Sequence, residues 1–120
     1  MIGSKDLSAD SDERWYNSHV DTLLMLIEDR LDDLEDDIDV NGANGQLTLT
    51  FSDRSQMVIS RQPAQQEIWV AARSGGFHLK WNTDHWFCAV TGERFSALLN
   101  RVLSEQAGVG SDLYRPEDGL

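Results

Sequence analysis

Residues 28–51 read EDRLDDLEDDIDVNGANGQLTLTF, and the spacing of their apolar side chains changes part-way along. In the first half, Leu31 and Leu34 continue a series at three- and four-residue intervals, which is typical of one face of an α-helix. In the second half, the letters LTLTF alternate between apolar and polar, which is typical of a strand with one buried face. The stretch therefore predicts a helix that leads into a sheet.

The first predicted helix spans about residues 12–36 and is amphipathic. Its apolar positions fall on one arc of roughly 100° when successive residues are placed ~100° apart. Acidic side chains occupy the opposite arc and become dense in the last two turns. The predicted core stripe consists of Val20, Leu23, Leu24, Ile27, Leu31 and Leu34.

Alternating apolar positions and turn residues predict about six strands after this helix. A turn is predicted at residues 41–45, because Asn-Gly pairs are typical of tight hairpins. In the strand at 67–72, Ile68 and Val70 are expected to face one side and Trp69 the other. The predicted strands are 37–40, 47–51, 56–61, 67–72, 77–80 and 86–89.

A second helix is predicted near the end of the chain, with Thr91 as its N-cap and Gly108 at its end. Short connections between the strands favour an antiparallel sheet. The predicted fold class is therefore α+β, a two-layer α/β sandwich with both helices packed on one face of the sheet. The predicted division is a flexible N-terminus at 1–11, a single domain at 12–108 and a C-terminal tail at 109–120. The apolar stripe of the second helix is Phe95, Leu98, Leu99, Val102 and Leu103.

The chain is strongly acidic, which limits the partners that it can bind. Its 120 residues include 21 Asp or Glu and 10 Lys or Arg, so the formal net charge is −11. That charge argues against nucleic acids and anionic membranes and favours cations or basic protein surfaces. The single cysteine, Cys88, allows no intrachain disulfide. No apolar run approaches the ~20 residues of a membrane-spanning helix and no signal-peptide pattern is present, so we expect a cytoplasmic protein.

Residues 37–42 match the first half of a calcium-binding EF-hand loop. The second half does not match, because the twelfth loop position requires a bidentate Glu and is Thr48 here. The segment that follows also alternates like a strand, whereas an EF-hand loop leads into a helix. An EF-hand is therefore rejected.

A run of acidic residues on a helix is most often only a solvated face, and that interpretation stays open here. The position of the run nevertheless speaks for a function. The C-terminal end of a helix carries a partial negative charge, so each exposed acid there costs about 0.3–1 kcal/mol. A cation or a basic partner would offset that cost, and all-oxygen donors suit hard cations as well as Fe²⁺. We expect weak, reversible binding along this open acidic ridge, defined as Glu28, Asp29, Asp32, Asp33, Glu35, Asp36, Asp37 and Asp39.

The sequence carries no recognisable catalytic motif. Its three histidines, His19, His78 and His85, lack the local spacing of a metal site. Cys88 lies in the stretch WFCAV, where a core thiol is expected rather than a nucleophile. No Ser-His-Asp elbow, phosphate-binding loop or dinucleotide fingerprint occurs. We therefore expect no enzymatic activity.

Trp69 marks a second candidate surface, on the face of the sheet that the helices leave open. Ser60 and Gln62 are expected on the same face, because they alternate with Ile59 and Arg61. An exposed aromatic side chain among polar groups is a common anchor for a protein contact. A Trp that its neighbours half-cover is the alternative interpretation.

These features together resemble the frataxin family, and the bacterial CyaY-type members most of all. The resemblance covers about residues 15–106 and includes the order of elements and the acidic first helix. Ser60 and Glu67 depart from it, since Asn is common at the position of Ser60 in eukaryotic members and Gln is common at the position of Glu67. The most specific motifs are Arg61-Gln62, Ile68-Trp69, the letters GGFH at 75–78, and Trp86.

The resemblance implies iron binding along the acidic ridge and a role in iron–sulfur cluster assembly. It implies that the ridge, with Asp32, Asp33 and Asp36, docks on a basic patch of a cysteine desulfurase. It also implies that Gln62 and Trp69 contact the assembly complex, which includes the scaffold protein.

We therefore predict a protein without enzymatic activity that binds Fe²⁺ or Fe³⁺ weakly and reversibly. It would regulate the cysteine desulfurase in response to iron, carry iron, or do both. A monomer is expected, and iron-induced oligomerisation is left open. One alternative is a ferroxidase, but the Glu-x-x-His motif of a dinuclear centre is absent. The other alternative is an acidic adaptor protein with no metal role.

Overall fold

A computed structural model describes residues 2–33, 38–43, 45–108, 113–118 and 120, with side chains from residue 13 onwards except that of Glu117. In sequence order, seven strands lie between two helices, and a short 3-10 helix follows the second helix. The elements are α1 (Ile2–Asp32), β1 (Asp39–Ala43), β2 (Gln46–Thr50), β3 (Gln56–Gln62), β4 (Glu67–Ala72), β5 (Gly75–Asn82), β6 (His85–Cys88), β7 (Glu93–Arg94), α2 (Phe95–Ala107) and the 3-10 helix Pro116–Asp118.

The seven strands form one antiparallel sheet in which neighbours in the chain are neighbours in the sheet. The α+β class is confirmed, with one strand more than the six predicted. The additional strand is β7, where Glu93 pairs with Cys88 and Arg94 with Phe87. The prediction that Thr91 caps the second helix is wrong. Because Glu93 and Arg94 are paired in the sheet, the second helix begins only at Phe95. The N-cap of this helix is Arg94, which makes no side-chain capping bond.

The β1–β2 hairpin is tighter than the predicted turn at 41–45. Asn41, Gly42 and Ala43 belong to β1, and Ala43 pairs directly with Gln46. Gly42 lies opposite Leu47, on the side of the sheet that faces α1. A Cβ atom there would lie 3.6 Å from a carboxylate oxygen of Glu28, so a larger side chain would press on α1.

The core lies between the two helices and one face of the sheet. The predicted stripe of α2 is confirmed, since all five of its apolar side chains are fully buried. On α1, Leu24 is only half-buried, and Leu34 lies outside the described residues. Cys88 is a buried core thiol, as predicted. The buried side chains of α1 are Tyr16, Val20, Leu23, Ile27 and Leu31.

Helix α1 begins at Ile2, ten residues before the start that its periodicity predicts. Apolar periodicity marks only the part of a helix that packs on a core, so it cannot locate an end that extends beyond the core. The flexible N-terminus at 1–11 stays a prediction. In the described part of the chain, no helix combines the length and the apolar character needed to cross a membrane.

Tyr16 connects α1 to the end of the β3–β4 hairpin. Its hydroxyl donates to the carbonyl of Glu67 at 2.6 Å and accepts from the backbone N–H of Gln62 at 2.8 Å. The Tyr16 hydroxyl thus satisfies one backbone donor and one backbone acceptor at the point where β3 and β4 separate. Burial raises the pKa of Tyr16, which keeps the hydroxyl protonated.

The tail closes over α1 and α2 through polar contacts. The Tyr114 hydroxyl donates to the carbonyl of Ile27 at 2.8 Å, and its backbone forms two hydrogen bonds with the Asn100 side chain. Arg30 donates to both carboxylate oxygens of Asp118. The hydrogen bonds from Arg30 lower the pKa of Asp118.

Replacing Tyr16 with Phe should lower the free energy of unfolding by about 1–3 kcal/mol, because a backbone donor and a backbone acceptor lose their partner. Urea unfolding followed by circular dichroism measures the change. A loss below about 0.5 kcal/mol would show that water replaces the hydroxyl without cost.

Replacing Asp118 with Asn should lower the free energy of unfolding at pH 7 by about 1 kcal/mol. The folded-state pKa of Asp118 is depressed, so its contribution is fully present above the unfolded pKa, about 3.9, and is lost as the pH falls through the folded value. The stability difference between wild type and variant should therefore shrink below about pH 4. A difference that is constant down to pH 2 would contradict this assignment.

Candidate metal-binding and docking surfaces

The described part of the acidic ridge follows the end of α1 and the start of β1. Asp29, Asp32 and Asp33 are exposed, Glu28 is half-buried beside the hairpin, and Asp39 is exposed at the first position of β1. Glu35, Asp36 and Asp37 lie outside the described residues. Five of the eight predicted carboxylates thus lie near the end of α1 or at the start of β1.

The ridge carboxylates form no ion pairs with the basic residues that the structure describes. None of the ion pairs among those residues includes a ridge member. Arg30 lies in the same helical turns, but its guanidinium is directed to Asp118. The like charges of Asp29 and Asp33, four residues apart, therefore add to the unfavourable interaction with the helix end.

The ridge is open rather than a closed metal cage. In the described residues, no group of three His, Cys, Asp or Glu side chains converges on a point that could hold an ion. Met25, which is 64% exposed, lies one turn before Asp29 and Glu28 and adds an apolar contact beside the acids. The sequence pattern did not identify Met25, because an exposed apolar residue on a helix leaves no periodic signal.

On the open face of the sheet, six side chains form two neighbouring rows across β3, β4 and β5. The strand pairings place these residues directly opposite one another. The predicted side of Trp69 is confirmed. Its indole is half-buried rather than exposed, which agrees with the alternative interpretation of a Trp that its neighbours half-cover. We call this group the sheet-face cluster: Gln62, Glu67 and Lys80 in one row, and Ser60, Trp69 and His78 in the other.

Two contacts hold the indole of Trp69. Its ring stacks on the His78 imidazole, with 4.3 Å between ring centroids and 8° between planes. Its Nε1–H donates to Glu67 Oε1 at 2.8 Å. Glu67 Oε2 also lies 3.5 Å from Lys80 Nζ. The sequence named Trp69 and Gln62 as contacts but did not assign His78 or Lys80 to this surface, because their alignment depends on the β4–β5 register.

The other two histidines belong neither to the acidic ridge nor to the sheet-face cluster. His19 packs against the rings of Trp15 and Trp81, with its Nδ1 3.0 Å from the carbonyl oxygen of Trp15. His85 contacts the neighbouring Asp84 carboxylate at 2.6 Å, and this contact lowers the pKa of Asp84. The described residues therefore place no histidine near the acidic ridge.

Comparison with known proteins agrees with this geometry. The family model of the frataxin-like domain matches residues 9–109. The chain belongs to the frataxin-like family. It is 44% identical over 98 residues to the iron-sulfur cluster assembly protein CyaY of Stutzerimonas stutzeri, covering 80% of this chain and 89% of that protein. It is 43% identical over 93 residues to the protein of the same name from Photobacterium profundum, covering 78% of this chain and 89% of that protein.

Solved frataxin structures share the fold. Frataxin from Psychromonas ingrahamii superposes with a TM-score of 0.78 at 23% identity, over 86% of this chain and 98% of that chain. Trimeric frataxin from the yeast Saccharomyces cerevisiae, complexed with ferrous iron, superposes with a TM-score of 0.63 at 24% identity, over 78% of this chain and 86% of that chain. The predicted family resemblance and the predicted sandwich are thus both confirmed.

Removing charge from the ridge should stabilise the protein at low salt. In a ridge variant with Asp29→Asn, Asp32→Asn and Asp33→Asn, we expect the free energy of unfolding to rise by on the order of 1 kcal/mol. Thermal unfolding at about 10 mM salt measures the change, and about 0.5 M salt should reduce it by screening.

The matched control variant carries Asp53→Asn, Asp84→Asn and Glu105→Gln, three acids that have cationic or imidazole partners in Arg73, His85 and Arg101. It removes the same number of charges, so a general effect of net charge would raise its melting temperature as well. We expect its melting temperature to stay level or fall. A lower melting temperature for the ridge variant would refute the view that the ridge lowers stability.

Proposed function

We propose that this protein binds iron along the acidic ridge and acts in iron–sulfur cluster assembly. In this role it regulates the cysteine desulfurase according to iron supply, carries iron, or does both. The observation that carries the proposal is a row of carboxylates at the end of α1 with which no described basic residue forms an ion pair. The relatives named iron-sulfur cluster assembly protein CyaY support the same role.

The donor set fits iron as a transported ion. Every ridge side chain offers carboxylate oxygen, which suits Fe³⁺ and also binds Fe²⁺. Residues four apart on a helix lie about 6 Å apart along the axis, so neighbouring carboxylates can contribute to one ion. Water would complete the coordination on an exposed edge. Such ions exchange quickly, which suits delivery rather than storage.

The same charge would guide the protein to a basic partner. With a net charge of −11, the chain attracts a basic surface over distances of about a Debye length, or ~10 Å at 0.1 M salt. We assign this docking to the basic patch of the desulfurase, through Asp32, Asp33 and Asp36. Gln62 and Trp69 form the second contact, with the desulfurase–scaffold complex.

The proposal treats the protein as a binding component rather than an enzyme. A ferroxidase needs two irons held together by converging ligands. Among the described residues, the carboxylates and histidines form no such group. The rival activity is directly measurable as oxygen consumption per added Fe²⁺, and sustained catalytic uptake would contradict the proposal.

A titration with Fe²⁺ under anaerobic conditions, followed by ¹H–¹⁵N NMR, tests the iron site. We expect paramagnetic broadening confined to residues 28–39 in the wild type and in the control variant. The ridge variant should require at least about tenfold more Fe²⁺ for the same broadening, because three carboxylate ligands are lost. Broadening centred on His19, His78 or His85 would refute the site.

Measurements of partner binding distinguish the roles of the acidic ridge and the sheet-face cluster. We expect the ridge variant to bind the purified desulfurase more slowly, with a smaller salt dependence, because long-range attraction is reduced. Trp69→Ala should keep the iron titration of the wild type and lose affinity for the desulfurase–scaffold complex. An adaptor without a metal role predicts instead that the ridge variant retains both iron binding and partner binding.

A further inference from the structure

Glu67 is an unusual residue for an open sheet face. It lies in the same row as Gln62 and Lys80, on the side away from the helices, yet it is only 8% exposed. Among the residues that the structure describes, it is the one buried side chain with a formal charge. A carboxylate removed from water is strongly unfavourable unless hydrogen bonds and opposite charges compensate it.

Trp69 and Lys80 both compensate the carboxylate, and Trp69 makes the shorter contact. The shortest contact of the carboxylate is the 2.8 Å hydrogen bond that Oε1 accepts from the indole Nε1–H. Lys80 Nζ lies farther away, 3.5 Å from Oε2, and His78 Nδ1 lies 3.9 Å from Oε1. If the carboxylate needed only an opposite charge, Lys80 alone would provide it. The geometry instead directs the shorter hydrogen bond to the half-buried indole of Trp69.

The consequence is an indole that is fixed in the free protein. Glu67 holds its N–H edge, and the His78 ring covers one of its faces. Tyr16 in turn holds the backbone carbonyl of Glu67, so the acceptor itself is anchored to α1. A Trp that is already ordered loses little side-chain entropy on binding, and such aromatic anchors dominate many interfaces.

We propose that Glu67 is the positioning residue of the sheet-face cluster, which sets the orientation of Trp69 that a partner protein recognises. The inference rests on the proposed function in one respect, that Trp69 contacts the assembly complex. It also specifies the chemistry of the partner. Because the indole N–H is already donated to Glu67, the partner offers an apolar surface for the ring and needs no acceptor for its nitrogen. The polar contacts come from Gln62, His78 and Lys80 around it.

The first test uses the free protein. The Trp69 indole N–H is assigned in a ¹H–¹⁵N spectrum by its absence in Trp69→Phe, and its exchange with solvent is measured. Glu67→Gln retains an oxygen acceptor and should preserve slow exchange. Glu67→Met has a similar length without an acceptor and should accelerate exchange by about tenfold or more, which corresponds to one lost hydrogen bond. Unchanged exchange in Glu67→Met overturns the positioning role.

The second test measures binding to the purified desulfurase–scaffold complex. We expect Glu67→Met to weaken binding about tenfold and Glu67→Gln by less than about threefold, since only the former removes the hydrogen bond. Adding Glu67→Met to Trp69→Ala should weaken binding no further than Trp69→Ala alone. If Glu67 contacted the partner directly, the two losses would add. Additive losses therefore overturn the proposal.

Controls separate the positioning role from stability and from the proposed function. Glu105→Met on α2 is the matched variant, and it should bind like the wild type. Melting temperatures identify variants that fail to fold, and in that case Trp69→Phe replaces Trp69→Ala in the cycle. If Trp69→Ala folds and binds with unchanged affinity, the docking role of the sheet-face cluster is refuted. The exchange measurement in the free protein does not depend on that result.

Discussion

One apolar face of the sheet has to be removed from water, and the two helices can cover only that face. Ile59 and Val70 on the sheet and Ile27 and Leu99 on the helices are fully or almost fully buried against one another. This requirement determines which surfaces remain for function. The outer side of α1 and the opposite face of the sheet stay open, and both candidate surfaces lie there.

The two open surfaces are connected through α1. Tyr16 contacts the backbone at the edge of the sheet-face cluster, one hydrogen bond to Gln62 and one to Glu67. Arg61 extends from β3 to Asn17 and forms an ion pair with Asp21, both one or more turns before the acidic ridge. These contacts set the position of the ridge relative to the sheet, so a partner that touches both surfaces meets them in a defined arrangement.

Sequence periodicity predicted the features that depend on local pattern and missed those that depend on pairing. The stripe of α2 and the bounds of β4 follow from spacing alone, and the structure confirms both. The two-residue strand β7 has no pattern of its own, because Glu93 and Arg94 are strand residues only through their pairing with β6. The acidic ridge could be named from composition, but His78 could be assigned to Trp69 only once the β4–β5 register was known.

The carboxylates of this protein differ in what neutralises them, and that difference separates their roles. Glu67 is buried and has an indole N–H and an ammonium group as partners, so its charge is used to hold neighbouring side chains in place. Asp29, Asp32 and Asp33 are exposed and form no ion pair with a basic residue in the described part of the chain. A charge that the fold already compensates has little attraction left for an external ion. The ridge retains that attraction because the fold does not compensate its negative charge. The uncompensated charge lowers the stability of the protein, and the same charge allows the ridge to bind a cation reversibly.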